Sequence, residues 1–207
     1  MDKRFENNIV DIVGTIVSHP EFSYEKFGEK FCTFNIVSKR LSGYEDIIPV
    51  IVPERLFNID NITIGKQLRV FGQFRSFNDH SDGGNHIVLS VFSQDIEEME
   101  GSDLTINSIW IDGFICKNPV YRKTPQGREI ADVIVAVNRQ YGKSDYIPCI
   151  AWGRNARFVS RLQVGNRIRL SGRIQSRVYN KKISDDEVVE KTAYEVSVSK
   201  IELVKGE

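Results

Sequence analysis

Cysteine and histidine are scarce in this 207-residue chain, three of each, and what they cannot build narrows its chemistry. Cys32, Cys116 and Cys149 are too few and too scattered for a disulfide framework, and none belongs to a C-x-x-C pair. They read as small core residues. His19, His80 and His86 have no metal-ligand spacing with cysteine or a carboxylate. G-x-S-x-G, H-E-x-x-H and the P-loop are all absent. No catalytic residue, metal site or cofactor is therefore expected. No stretch approaches the ~20 apolar residues of a membrane span, and the first eight residues carry no apolar segment for secretion. A cytoplasmic protein without membrane contact is the expectation.

Net charge is missing as well, since 28 Lys and Arg balance 28 Asp and Glu. The balance hides a polarity. Residues 1–100 hold 10 basic against 16 acidic side chains, a net of −6, and residues 101–207 hold 18 against 12, a net of +6. Such asymmetry between halves points to an anionic partner for the basic half.

The halves are also alike. Asp46-Ile-Ile-Pro-Val-Ile51 recurs as Asp145-Tyr-Ile-Pro-Cys-Ile150, displaced by 99 positions, and the same step carries Gly14 onto Gly113 and Arg40 onto Arg139. Gly65-Lys-Gln-Leu-Arg-Val-Phe-Gly72 recurs as Gly165-Asn-Arg-Ile-Arg-Leu-Ser-Gly172, displaced by 100. The chain is an internal duplication of about one hundred residues, with repeat one at 1–100, repeat two at 101–207, and a linker near Glu97–Asn107.

In repeat two, Ile109, Ile111, Gly113 and Ile115 alternate with Trp110, Asp112, Phe114 and Cys116, the period of a strand. A loop with Asn118-Pro119 and Pro125-Gln-Gly127 follows. Further strands are predicted at Glu129–Arg139, Tyr146–Trp152, Arg167–Tyr179 and Tyr194–Leu203. A short helix at Asn155–Leu162, closed by Gly165, lies between the third and fourth strands. Asn180–Lys191 reads as a polar loop, and Gly83-Gly84 of repeat one as a hairpin tip. Five strands with a helix between the third and fourth is the order of an OB-fold. The chain is thus expected to be all-β, two tandem OB-fold barrels.

Binding a single strand without sequence preference needs cations along the phosphates and flat rings on which bases stack. The fourth strand alternates Ile168, Leu170, Gly172, Ile174 and Val178 with Arg167, Arg169, Arg173, Arg177 and Tyr179, a basic stripe with no carboxylate between its members. Lys181 and Lys182 extend the stripe, Asp185, Asp186 and Glu187 reverse its sign, and the first loop adds Tyr121, Arg122, Lys123 and Arg128. Aromatic candidates are Tyr141, Tyr146, Trp152 and Tyr179. Tyr146 and Trp152 lie an even number apart, so pleating places them on one face, and Trp152 is followed by Gly153 and Arg154. Arg139 completes the set.

Several ordered motifs carry a resemblance: Asn107-Ser-Ile-Trp-Ile-Asp-Gly113, Asn118-Pro119, Gly127, Val135-Ala-Val-Asn-Arg139, Asp145 through Gly153, and Val164 through Arg177. Over these residues repeat two resembles the bacterial single-stranded DNA-binding protein family. The resemblance implies stacking aromatics at Tyr141, Tyr146, Trp152 and Tyr179, single-stranded DNA as partner, and an assembly of four OB-folds, hence a homodimer of this chain. Repeat one departs from the pattern, with Ile47 and Pro53 where repeat two has Tyr146 and Trp152, so weak affinity is expected there; core or interface roles are read for its Tyr44, Phe74 and Phe77. The family's members usually end in an acidic recruiting tail, whereas this chain stops at Leu203-Val-Lys-Gly-Glu207. The tail-less primosomal replication protein N is the nearer comparison. The competing expectation is a protein-interaction module, binding a replication, recombination or conjugation partner, with DNA secondary; the acidic repeat one favours it because like charge repels phosphate.

Overall fold

A computed structural model describes residues 7–56, 62–79, 86–99, 104–182 and 188–204. In repeat one the strands are β1 (Asn8–Ile16), β2 (Glu21–Lys26), β3 (Glu29–Lys39), β4 (Glu45–Pro53), β5 (Gln67–Asp79) and β6 (His86–Met99). In repeat two they are β7 (Asn107–Ile115), β8 (Val120–Lys123), β9 (Glu129–Asn138), β10 (Ser144–Trp152), β11 (Arg167–Lys182) and β12 (Val188–Leu203), with helix α1 (Arg154–Val159) after β10.

The five strands expected of each repeat are present, and each gains a short sixth, β2 or β8. In repeat two the sixth strand arises inside the predicted loop. Thr124 and Gly127 close a turn by the Gly127 N–H donated to the Thr124 carbonyl at 2.8 Å, and Gly127 supplies the required φ of +78°. That turn folds Val120–Lys123 back along β9. Helix α1 ends at Val159, earlier than predicted, and Gly165 does not cap it. Its φ is +89°, and its N–H is donated to the Ile115 carbonyl at 2.8 Å, so it turns the chain into β11. Most of the predicted polar loop after Asn180 is strand, because β11 and β12 stay paired out to Lys182 and Val188. The helix expected in repeat one would fall after Pro53, where residues 54–56 form a turn and 57–61 lie outside the described residues. The Gly83-Gly84 tip and Asp185–Glu187 also lie outside them.

Each repeat closes as a barrel around aliphatic side chains that strand periodicity turns inward, among them Ile12, Ile36, Ile48 and Val70 in one, and Ile111, Val135, Ile147 and Ile168 in the other, all fully buried. The barrel circuit of repeat two runs β7, β11, β12, β10, β9 and back to β7. Strand β10 pairs along its whole length with β9 but with β12 only at Cys149 and Ile150. Pro148 is tolerated in mid-strand because one edge of β10 is largely unpaired; Pro49 of β4 repeats the arrangement.

The barrels join edge to edge. Strand β1 pairs antiparallel with β7 from Asn8↔Ile111 to Ile12↔Asn107, centred on Val10↔Ile109. Since residue 109 is the repeat equivalent of residue 10, this pairing is a local two-fold axis, and one sheet of twelve strands runs through the molecule. Buried Asp46 and Asp145 lock the seam symmetrically. Asp46 accepts from Arg40 and from the Ser176 N–H at 2.8 Å, and Asp145 accepts from Arg139 and from the Ser76 N–H at 2.6 Å. The two serine hydroxyls accept in turn from the N–H groups of Ile47 (3.0 Å) and Tyr146 (2.9 Å).

Gly72 and Gly172, on β5 and β11, sit opposite matching bulges of β6 and β12. A Cβ on Gly172 would collide with the Ser197 carbonyl, as one on Gly72 would with that of Phe92. Gly172→Ala is expected to cost roughly 1–3 kcal/mol by overpacking, read as a lowered urea midpoint. An unchanged midpoint would show that the bulge relaxes freely.

Candidate nucleic-acid interface

Strand β10 presents the clearest surface. Its alternation buries Ile147, Cys149 and Ala151 and turns Tyr146 and Trp152 outward, 47 % and 38 % exposed. Six residues of extended chain separate the two rings by about 20 Å. The neighbouring strands complete this face, because residues paired directly across a sheet point to the same side. Arg122, Ile130 and Trp152 form one row across β8, β9 and β10. The rim beside Trp152 is fixed by Glu129, which accepts from the Tyr121 hydroxyl at 2.6 Å and pairs with Arg157 at 3.4 Å. That hydrogen bond holds the Tyr121 phenol above its ordinary pKa. Arg154 opens α1 directly after Gly153, whose φ of +51° makes the corner. Exposed rings with cations at their edge offer bases a flat contact and phosphates a charge.

The remaining sequence candidates are not all gathered here. Lys123 is exposed on β8, while Arg122 is paired with Asp132 at 2.9 Å. Tyr141 lies in a 3-10 turn at Gln140–Gly142, between β9 and β10. Arg139 is held in the seam, where it binds Asp145 and donates to the Ser76 carbonyl at 2.9 Å. Arg177 and Tyr179 stand on the β11–β12 arm, the guanidinium 5.6 Å from the ring centroid. The arm continues through Lys181 and Lys182, and its base is fastened at Ser176 to β4 of repeat one.

The basic stripe of β11 is not continuous. Arg167 and Arg169 both bind Asp112 of β7, at 2.8 and 2.9 Å. The carboxylate that strand β11 lacks is supplied by its neighbour. Both arginines lie where β11 meets β7, across the barrel from β10, so they are not brought together with Tyr146 and Trp152. Arg173 follows the bulge and reaches Asp46 of repeat one at 3.8 Å. Burial lowers its pKa, and the charge of Arg40 adds to the shift.

Sequence reasoning took Phe77 singly, as a core or interface residue, and passed over the cluster around it in repeat one. The Tyr24 and Phe31 rings stack at 4.6 Å, Tyr24 lies 6.5 Å from Phe77, and Phe31 lies 5.7 Å from Phe92. Arg75 covers the Phe92 ring at 3.8 Å. The alternation of Arg75 and Phe77 on β5 was the available signal. Phe74 is fully buried core, while Tyr44 is 54 % exposed beneath Arg40.

A sequence model of the single-strand binding protein family matches residues 106–204. Single-stranded DNA-binding protein B of Bacillus subtilis is 34 % identical over 80 residues, covering 35 % of this chain and 71 % of that protein. The single-stranded DNA-binding protein of Halalkalibacterium halodurans is 32 % identical over 82 residues, covering 36 % of this chain and 49 % of its own length. The chain thus spans about half the length of several curated relatives it matches. The crystal structure of the wild-type single-stranded DNA-binding protein from Thermus aquaticus superimposes with a TM-score of 0.73 at 20 % identity, over 97 % of this chain and 94 % of that one. The shared fold therefore extends through both barrels.

The Asp112 cluster generates a test. Burial opposes the charged form of Asp112, but hydrogen bonds from Arg167 and Arg169 outweigh it and hold the carboxyl below its ordinary pKa. A depressed carboxylate stabilises the fold above the ordinary carboxylate range, and the contribution fades as pH falls. Asp112→Asn should therefore lower the melting temperature at pH 7, with the gap from wild type narrowing below about pH 4. A gap independent of pH would contradict this account.

Proposed function

We infer the function of this chain from its kinship: it belongs to the single-strand binding protein family. We propose that repeat two binds single-stranded DNA without sequence preference, by stacking bases on Tyr146 and Trp152. The observation that carries the reading is the pair of half-exposed rings on one face of β10. Arg154, Arg122 and Lys123 flank that face. Tyr141, Arg177, Tyr179, Lys181 and Lys182 extend the contact on either side of it. The role assigns no catalytic step and fits replication, recombination or repair in the cytoplasm. Among the described residues no helix is long and apolar enough to cross a membrane.

Titration of intrinsic fluorescence with oligo-dT tests the assignment. With Trp110→Phe as background, Trp152 should be quenched on binding, and log affinity should fall linearly with log salt. Tyr146→Ala and Trp152→Ala should each weaken binding by ~1–3 kcal/mol. Absence of binding at low salt would sink the reading.

Arg167 and Arg169 take a different part. With Asp112, and with the Arg69–Asp11 pair at 2.9 Å, they frame an outer sheet face on which Ile9 and Trp110 are paired neighbours and Phe71 and Phe114 stand alongside. Ile9 is 44 % exposed and Phe114 38 %. An apolar centre framed by internally neutralised charges suits contact with a second copy, giving a homodimer with four barrels. Light scattering should return twice the chain mass, and Trp110→Glu should return the monomer. A monomeric wild type would remove this part of the proposal. The negative repeat one, lacking rings at Ile47 and Pro53, is the surface left for a protein partner.

A further inference from the structure

At one end of the seam two guanidiniums meet one carboxylate. Arg40 and Arg173 approach Asp46 at 2.6 and 3.8 Å. At the other end Arg139 binds Asp145, and Arg75 stands close to both. Among the described residues Arg75 reaches no carboxylate within ion-pairing distance; it donates only to Gln73 Oε1, at 3.1 and 2.8 Å. Burial, with the charge of Arg139 added, pushes its pKa down to about 10. The guanidinium remains charged at neutral pH and is in want of an anion. Asp145 attracts it only from beyond ion-pairing distance, and a half-buried cation without a direct ion pair is costly unless a ligand supplies one.

The position of Arg75 suggests which anion. Residues 75 and 77 share the outer face of β5, and Ser76 between them accepts the Tyr146 N–H at 2.9 Å. The backbone of β10 at Tyr146 and the stretch of β5 that carries Arg75 and Phe77 thus meet at one hydrogen bond. Arg139 lies 5.6 Å from the Phe77 ring, and Tyr24 extends the aromatic surface beyond it. Arg75, Phe77 and Tyr24 are not part of the repeated pattern. Phe77 has Arg177 as its equivalent, Arg75 has Gln175, and by strand register Tyr24 has Arg122. The cluster belongs to repeat one alone.

We propose that a strand bound on β10 continues past Tyr146 across the seam, where Arg75 takes a phosphate and Phe77 with Tyr24 takes the next base. The proposal rests on the single-stranded DNA reading above. It makes the seam a composite site that neither repeat holds alone.

Oligo-dT of two lengths separates the two claims: about 6 nucleotides, near the lower end of one OB-fold site, and roughly 20, long enough to leave the first barrel. Arg75→Gln installs the residue that repeat two carries at the equivalent position, and Phe77→Leu keeps apolar bulk without the ring. Both variants should bind the short oligonucleotide as wild type does. Phe77→Leu should bind the long one roughly 5- to 100-fold more weakly. Arg75→Gln should reduce the salt slope for the long one by about 0.7, the loss of one phosphate contact on a single strand. Wild-type affinity of both variants for the long oligonucleotide overturns the crossing and leaves binding on β10 standing. Equal losses for both lengths also overturn it, by showing general disruption. If wild type binds neither length, the DNA reading itself fails and the crossing with it. Should Arg75→Gln unfold, Phe77→Leu alone decides.

Discussion

The pairing of β1 with β7 is the contact on which the rest of the molecule depends. An OB barrel leaves its first strand with an edge free to pair, and unpaired edges invite association with other chains. Here each repeat covers the edge of the other. The pairing is held by more than ladder bonds, since Asp46 and Asp145 are buried and each is satisfied jointly by an arginine of its own repeat and a serine N–H of the other. Opening the seam would strip each buried carboxylate of its serine N–H, and hydrogen bonds to charged groups contribute about 1.5–3 kcal/mol each. Barrel geometry and relative placement are thus fixed together.

That placement sorts the charged residues. On the face around the axis, Asp11 and Asp112 neutralise Arg69, Arg167 and Arg169 locally. On the other side of each barrel, β10 and its equivalent β4 have one edge largely unpaired. The same backbone therefore carries a neutralised apolar face and an exposed one. In repeat two the exposed face keeps its rings. In repeat one Ile47 and Pro53 occupy those places, and the aromatic residues instead gather beside the seam.

Much of this was legible in the chain itself. The duplication, the strand order and the outward pairing of Tyr146 with Trp152 follow from spacing alone, because alternation is a local property. The recurrence of Arg40 and Asp46 as Arg139 and Asp145 was equally visible, but its meaning was not. A repeated arginine six residues before a repeated aspartate marks a structural ion pair, whereas Arg139 taken singly reads as a phosphate contact. The neutralisation of the stripe on β11 was not legible for a related reason. Asp112 lies 55 and 57 positions from Arg167 and Arg169, and only the strand register brings them together. Likewise Arg75 and Phe77 gain their setting from Ser76 meeting Tyr146, 70 positions away.

The axis through Val10 and Ile109 relates two halves of opposite net charge. In an assembly of identical subunits such an axis makes both ends of the seam equivalent, so a polymer laid across it meets the same chemistry whichever way it runs. Covalent fusion of the repeats has allowed the ends to differ, with Arg173 and Arg40 at one and Arg75 with its aromatic neighbours at the other. A polynucleotide has a 5′ and a 3′ direction. On the crossing proposed above the two directions are not interchangeable, and such a site imposes an orientation that a perfectly symmetric pair of barrels has no means to express.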